Sequence, residues 1–445
     1  MYDTVTQYGE VLSNEVDDWH PPVMVRLWQL LLPLGAMTGP MFVLQAGLYA
    51  FGFALIVAAL AKSGRPFAAL AAAVLAVSPL LLGWQMIVLK DAQMLGALLA
   101  AIGIVAHYRL GDRKVPATAV TAVAILTSYA TLVRANALFA TVPLVVMLLP
   151  RPVSTVRRAT CAILGILVLL AAEPVINHRL FGASSSGVAN SQPLFDLAAV
   201  AVATPASVPP FTPAERWGLL EKHCVKAFFW DPVTEPSACG PTTERVDALP
   251  ERDLYVDLAQ AIVSHPVAYA LHRLAHWNST ERWLVPPGLI DAAPPDEAEP
   301  NDEGLTTPAN PLVPWWQARA GWEASTPLGW PIVWTALSLL LLPAAWRRRA
   351  QPEGGIALAL LVSAASLEAS FLVISIASDL RYHLWSMTSV PLGLVFLSND
   401  IRWTRREWAG AAAVLGLIIA GGTISRSALP VAPDSYQGML HAPSG

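Results

Sequence analysis

Two groups of residues in this 445-residue chain are of types that do chemistry. The first is the polar opening stretch, YDTVTQYGEVLSNEVDDWHPP over residues 2–22, with Asp3, Gln7, Glu10, Asp17, Asp18 and His20. The second is a set of charges set between apolar runs: Lys90 and Asp91 in IVLKDAQM, Arg134 in LVRANALF, and Asp379, Arg381, Tyr382 and His383 in SDLRYHLW. A charge at membrane depth is costly and is kept for a partner or a task. Arginine offers a planar fork to phosphate oxygens and lysine a compact charge, so Lys90, Arg134 and Arg381 suit a phosphate or pyrophosphate head group. The competing reading is internal. In it Lys90 pairs with Asp91 or with an acid of the opening stretch, and Arg134 snorkels to the interface.

A carboxylate such as Asp3 suits a general base for a hydroxyl or amine if it reaches the proton to be removed; otherwise it is a solvated loop acid. Asp17, Asp18 and His20 carry oxygen and imidazole donors that suit a divalent cation, though their spacing is no metal signature. Against that, Asp18-Trp19-His20-Pro21-Pro22 reads as a rigid turn with Trp19 as interface anchor. No cofactor is demanded, and a divalent cation stays open. Glu173 and Glu368 are lone acids in apolar runs, where a buried cation or polar partner is expected.

The elements that must position these groups are membrane helices. Hydrophobic residues make up 55% of the chain and charged ones 13%, against about a quarter charged in soluble proteins, and mean hydropathy is +0.50. The class is therefore an all-α polytopic membrane protein. A net charge of −4 gives no sign of nucleic-acid binding, and no cleavable signal peptide opens the chain. Residues 23–35 are short for a crossing and read as an interfacial helix. Ten spans follow, at about 39–61, 67–89, 92–110, 117–133, 135–149, 156–176, 328–345, 355–378, 382–399 and 407–424.

Alternate connections are basic: Lys62 and Arg65; Arg109, Arg113 and Lys114; Arg151, Arg157 and Arg158; Arg347, Arg348 and Arg349; Arg402, Arg405 and Arg406. The positive-inside rule makes that set cytoplasmic. The opening stretch, Lys90, Arg134, the long polar stretch 177–327 and the 379–383 turn then lie outside. Five regions result: an acidic loop with an interfacial helix (1–38), an N-terminal bundle (39–176), a mostly helical extracytoplasmic loop domain (177–327), a C-terminal bundle (328–424) and an extracytoplasmic tail (425–445). Residue 1 starts outside with no span to carry it there, which predicts a first helix missing through truncation or a misassigned start, with export of the opening stretch by the downstream helices as the lesser alternative. Within the loop domain, DAAPPDEAEPNDEG (291–304) reads as a disordered or surface segment. Cys224 and Cys239 share that domain, and a disulfide between them is open if the compartment is oxidising.

The run YDTVTQYGEVL, then DWHPP, then the short 23–35 helix resembles the opening of the C-type (GT-C) membrane glycosyltransferases, a superfamily that includes protein O-mannosyltransferases and aminoarabinose transferases. The nearest group is the bacterial dolichyl-phosphate-mannose mannosyltransferase-like one, with D-x-x-x-Q ahead of D-W-H-P-P. The resemblance covers residues 1 to about 180 and, more loosely, 328–424. It implies that Asp3 is the catalytic Asp, deprotonating or orienting the acceptor. It places Lys90, Arg134 and Arg381 on the lipid phosphate, with Gln7, Asp17, Asp18, His20, Asp91 and His383 in the same substrate site. The implied reaction is inverting transfer of a sugar from a polyprenyl-phosphate donor to a glycan, lipid or protein acceptor at the outer face of the inner (plasma) membrane. A glycan polymerase or ligase, or a lipid-linked-sugar transporter, is the alternative.

Overall fold

The chain opens with helices α1 (Tyr2–Ser13) and α2 (Val23–Leu31), then α3 (Gly39–Lys62). Next come α4 (Pro66–Ala76) and α5 (Pro79–Gln85), bent by 52° at their junction, then α6 (Lys90–Arg109), α7 (Ala117–Leu132), α8 (Leu138–Leu148) and α9 (Thr155–Val175). A polar group follows: α10 (Ser191–Ala203), α11 (Pro213–Glu221), α12 (Gly240–Asp247), α13 (Glu251–Ser264), α14 (Pro266–Thr280) and α15 (Leu312–Ser325). The chain ends with α16 (Pro331–Arg348), α17 (Pro352–Ile374), α18 (Leu384–Leu397), α19 (Arg405–Ala428) and α20 (Tyr436–His441). This computed structural model describes residues 2–149, 154–307, 310–399, 401 and 403–442. Among the described residues every regular element is helical. Arg151 and Arg402, two of the expected basic-connection residues, lie outside them.

Five helices are long and apolar enough to cross a membrane: α3, α6, α9 with its continuation to Leu180, α17 and α19; the bent pair α4–α5 makes six if it is one span. The other four expected spans are α7, α8, α16 and α18, of 16, 11, 18 and 14 residues. At about 1.5 Å per residue these fall short of a hydrocarbon core about 30 Å thick. No residue of α9 is buried, yet it presents Ile163, Leu164, Leu167 and Val168 outward. An apolar face of that size belongs against lipid, and with the five long helices it marks a membrane-associated chain.

Helix α6 is the axis of the bundle, buried along most of its length. Small residues let α3 lie directly against it. A Cβ on Gly52 would meet the Leu99 carbonyl carbon at 2.4 Å, and one on Gly103 would meet the Gly52 oxygen at 2.7 Å. Without side chains there the backbones approach closely, as in small-xxx-small packing of membrane helices.

The polar helices form a layer over one end of this bundle. Leu194, Phe195, Leu219, Leu254 and Leu258 make its separate apolar core, and Cys224 and Cys239 are disulfide-bonded within it. Arg273 of α14 fastens the layer to the bundle, donating to the Leu372, Val373 and Ser375 carbonyls at the end of α17. A cation suits that position because the last carbonyls of a helix carry partial negative charge. Arg282 donates to the Ser378 carbonyl just beyond. These two arginines fix the course of residues 375–383.

Of the two readings of the acidic, Pro-rich stretch 291–304, the surface segment is the one observed: residues 291–307 lie largely at the surface but follow an ordered course. The Asp291 carbonyl accepts from the Leu380 N–H at 2.9 Å. Pro294 lies against Gly83, and the Glu303 carboxylate sits beside Gly9. The Asn301 side chain closes a turn by bonding both backbone groups of Leu305. Composition misses this because the contacts are backbone and Asx-turn bonds rather than apolar burial. Helix α15 also returns to the bundle: Ala320 and Ala324 join its core, and Trp316 Nε1 donates to the Pro79 carbonyl.

Candidate functional site

At the end of the bundle under the polar layer, four sequence-distant segments meet: the opening stretch, the turn between α5 and α6, the turn between α7 and α8, and the turn ahead of α18. Position is set first by amides. Gln45 Nε2 donates to the Gln85 and Ile87 carbonyls, both at 2.8 Å, and Gln93 Nε2 donates to Gln45 Oε1. This pins the turn between α5 and α6 and so the start of α6, where Lys90 and Asp91 stand. Thr4 Oγ1 donates to the Val88 carbonyl of the same turn, which seats α1 beside it. Asp3 and Asp91 both lie in the first turn of a helix, where the N-terminal partial charge favours a carboxylate. Lys90 is disfavoured there by the same rule and depends on its partners.

Asp3 Oδ2 lies 2.9 Å from Arg381 Nη1 and 3.5 Å from Lys90 Nζ. Lys90 Nζ is 2.8 Å from His20 Nδ1. Asp91 pairs with Arg134 and lies 3.8 Å from Arg381 Nε. Arg381 Nη2 donates to Asp379 Oδ2 at 2.9 Å, and Arg134 Nε donates to Asn136 Oδ1 at 2.6 Å. Arg134 stacks over the Tyr382 ring, 4.2 Å from its centroid. Three carboxylates thus balance three cations, and Asp3, Asp91, Arg134 and Arg381 are all buried.

The electrostatics follow from this packing. Burial alone would raise the Asp3 carboxyl, but the charges of Lys90 and Arg381 outweigh it and hold Asp3 well below the ordinary carboxylate range. Burial, then the Lys90 charge, pulls the His20 imidazole down to about 3. His20 is therefore neutral near pH 7. An ammonium has no acceptor atom, so Lys90 donates to Nδ1 and the His20 proton sits on Nε2, which is buried and unpaired. Gln7 is 0% exposed with neither amide atom paired, and Glu10 Oε2 is buried without a partner. Burial, followed by the neighbouring Asp17 charge, pushes the Glu10 carboxyl up to about 7.

Of the residues singled out in the sequence, Asp3, Lys90, Asp91, Arg134, Arg381 and His20 come together, with Gln7 one helical turn along α1 from Asp3. Three do not join them. Asp17 folds back on its own backbone, accepting from Trp19 N–H. Asp18 accepts from the backbone and hydroxyl of Ser186 and faces His178 at 3.4 Å, stitching the opening stretch to residues beyond α9. His383 turns into the bundle, with Nδ1 2.7 Å from Glu368 Oε2. Asp17, Asp18 and His20 thus point three ways. Among the described residues no group of three or more His, Cys, Asp or Glu gathers as a metal site would require. Trp19 packs on Trp230 of the polar layer, with centroids 6.0 Å apart.

Arg134 does not snorkel, since Asp91 and Tyr382 hold it inside. Lys90 finds its partner in the opening stretch, at Asp3. Glu368 has His383, and nearby Glu281 accepts from Thr335 Oγ1 at 3.0 Å. Sequence reasoning missed Glu281, Asn136 and Ser186. Glu281, beside Arg282 in the polar run NSTERW, carried no signal in the sequence, and neither did Asn136 or Ser186. Compared with known proteins, the chain matches no family model, no curated protein and no solved structure.

Proposed function

We propose that the chain is an integral-membrane glycosyltransferase that moves a sugar from a polyprenyl-phosphate carrier to an acceptor at the extracytoplasmic face of a cell's inner (plasma) membrane. The observation that carries this reading is the meeting of Lys90, Arg134 and Arg381 with Asp3 and Asp91 at one end of a membrane bundle, beside the buried Gln7 amide and His20 Nε2, which have no partner. Three cations on one cluster suit a departing lipid phosphate. The unpaired Gln7 amide and the His20 Nε2 suit sugar hydroxyls, since a buried polar group without a partner costs about 1–3 kcal/mol.

In this reading α3, the pair α4–α5, and α6, α7, α8, α9, α16, α17, α18 and α19 are ten spans, the shorter ones broken or met by local thinning of the bilayer. The cluster end faces outward. The Cys224–Cys239 bond of the overlying layer suits an oxidising compartment, and Arg109, Arg113, Lys114 and Arg349 line a cavity of about 930 Å³ of their own, apart from the cluster. Asp3 acts as counter-ion to Lys90 and Arg381 until phosphate takes its place. The test is incubation of the reconstituted full chain with polyprenyl-phosphate hexoses of several sugars, following sugar consumption and release of polyprenyl phosphate. Donor-dependent release abolished by Arg381→Ala supports the reading; a correctly folded protein that neither binds nor consumes any such donor overturns it.

A further inference from the structure

The inference concerns which group takes the acceptor's proton, and it rests on the glycosyl-transfer reading. Asp3, Gln7 and Glu10 stand at i, i+4 and i+7 of α1, on one face of the helix, and all three are buried. They differ in what they touch. Asp3 Oδ2 is held by both Arg381 and Lys90. Gln7 has no partner, and neither has Glu10 Oε2.

In a displacement at the anomeric carbon the nucleophile enters opposite the leaving oxygen. A base placed among the cations that hold the leaving phosphate is on the wrong side of the sugar. Asp3 is in that position. From Asp3 to Glu10 the helix advances about 10 Å at about 1.5 Å per residue. That is the order of the ~6.5–9.5 Å between acid and base in inverting glycosidases, where a nucleophile must fit between them. Gln7 lies midway.

We propose that Glu10 is the general base of this site and that Gln7 holds the sugar between Glu10 and the phosphate-binding cations Lys90 and Arg381. The acceptor hydroxyl oxygen bonds to the anomeric carbon as the bond from that carbon to the phosphate oxygen breaks. The bonding pair leaves with the polyprenyl phosphate, which Lys90 and Arg381 hold. The hydroxyl proton passes to the Glu10 carboxylate and then to solvent. The charged groups around Glu10 are Asp17, Lys90 and, beside the adjoining Gly9, Glu303. Burial and Asp17 put its titration close to neutral pH, the range in which a general base works best.

The test uses the reconstituted full chain with a polyprenyl-phosphate sugar donor that the wild type consumes. Glu10→Gln is expected to lower kcat by about 10²–10⁴ while leaving donor binding intact. Wild-type kcat/KM is expected to rise with pH through about 7, and Glu10→Gln to lose that limb. Added formate is expected to restore part of the transfer to Glu10→Ala, which a structural role would not allow. A Glu10→Gln enzyme with wild-type turnover and the limb intact overturns the assignment alone. If Glu10→Gln does not fold, Glu10→Asp carries the test: a limb unmoved from the wild type's overturns the assignment. A wild type that neither binds nor consumes any such donor overturns the glycosyl-transfer reading and this assignment with it.

Discussion

Asp3 Oδ2 accepts a hydrogen bond from Arg381 Nη1 at 2.9 Å, across 378 residues of sequence. The contact joins the first helix to the turn ahead of α18 inside a buried network. Removing Asp3 leaves Arg381 with Asp379, and removing Arg381 leaves Asp3 with Lys90, so each single change takes one buried contact from a charge that keeps another. Asp3→Ala and Arg381→Ala are each expected to lower the thermal midpoint in detergent. The double variant is expected to lose less than the sum, because the one Asp3–Arg381 contact is lost in each single change. Additive losses would mean that the two residues do not stabilise each other.

Arg273 holds the polar layer to the end of α17 through three carbonyls and also donates to Asp196 at 3.0 Å. Arg273→Met keeps much of the side-chain length and removes the donors. The expected result is faster proteolysis between α14 and α15 and a loss of about 3 kcal/mol or more, since Asp196 is left buried with one partner fewer. It also frees the course of residues 375–383, so any anion binding that needs Arg381 is expected to weaken. A variant as resistant to protease as the wild type would place the anchor elsewhere.

The Cys224–Cys239 bond closes a loop with a sequence separation of 15. In the chain-entropy view a loop of about 15 residues contributes about 3 kcal/mol. Cys224→Ser with Cys239→Ser is expected to sensitise residues 224–247 to protease and to leave the thermal behaviour of the α3–α6 pair largely unchanged, because the apolar core of the layer is separate from that of the bundle. Hydrogen exchange of the two regions checks this directly.

The apolar runs made the long helices legible, since residues 39–61, 92–110, 355–378 and 407–424 each coincide with one helix. The runs either side of Arg134 are visibly short in the sequence, as α7 and α8 are; the bend at Ala76–Pro79 and the 14-residue length of α18 were not legible, because hydropathy does not register where a helix breaks. Within the site, Lys90, Arg134 and Arg381 stood out as charges in apolar surroundings, and their meeting is a matter of fold. His383 was misplaced by proximity in sequence to Arg381: in the tight turn Leu380–His383 two residues are enough to reverse a side chain. Asp17 and Asp18 were drawn in by type, but local backbone bonding and Ser186 claim them. The burial of Glu10 and Gln7 has a sequence signal in the i, i+4, i+7 spacing with Asp3, which is helical only if the opening stretch is a helix.

His20 gives the network a pH dependence of definite sign. Its imidazole is held at about 3 by burial and then by Lys90, against about 6.5 in an unfolded chain. Between those values the unfolded chain binds a proton that the folded one refuses. Stability from this group is therefore full above about 6.5 and falls as the pH drops toward 3. Glu10 works the other way. Folded, it keeps a proton up to about 7, whereas an unfolded Glu releases it above about 4.3, so its contribution falls as the pH rises through that window. The two slopes overlap, and the wild-type profile alone does not separate them. The difference between wild type and His20→Gln does, because Glu10 is common to both. That difference in unfolding free energy is expected to shrink on acidification below pH 6.5, by at most about 1.4 kcal/mol per unit. A difference that stays constant from pH 7 to pH 4 would mean that His20 takes up its proton in the folded protein as readily as in the unfolded chain, and that the Lys90 ammonium does not press on its ring.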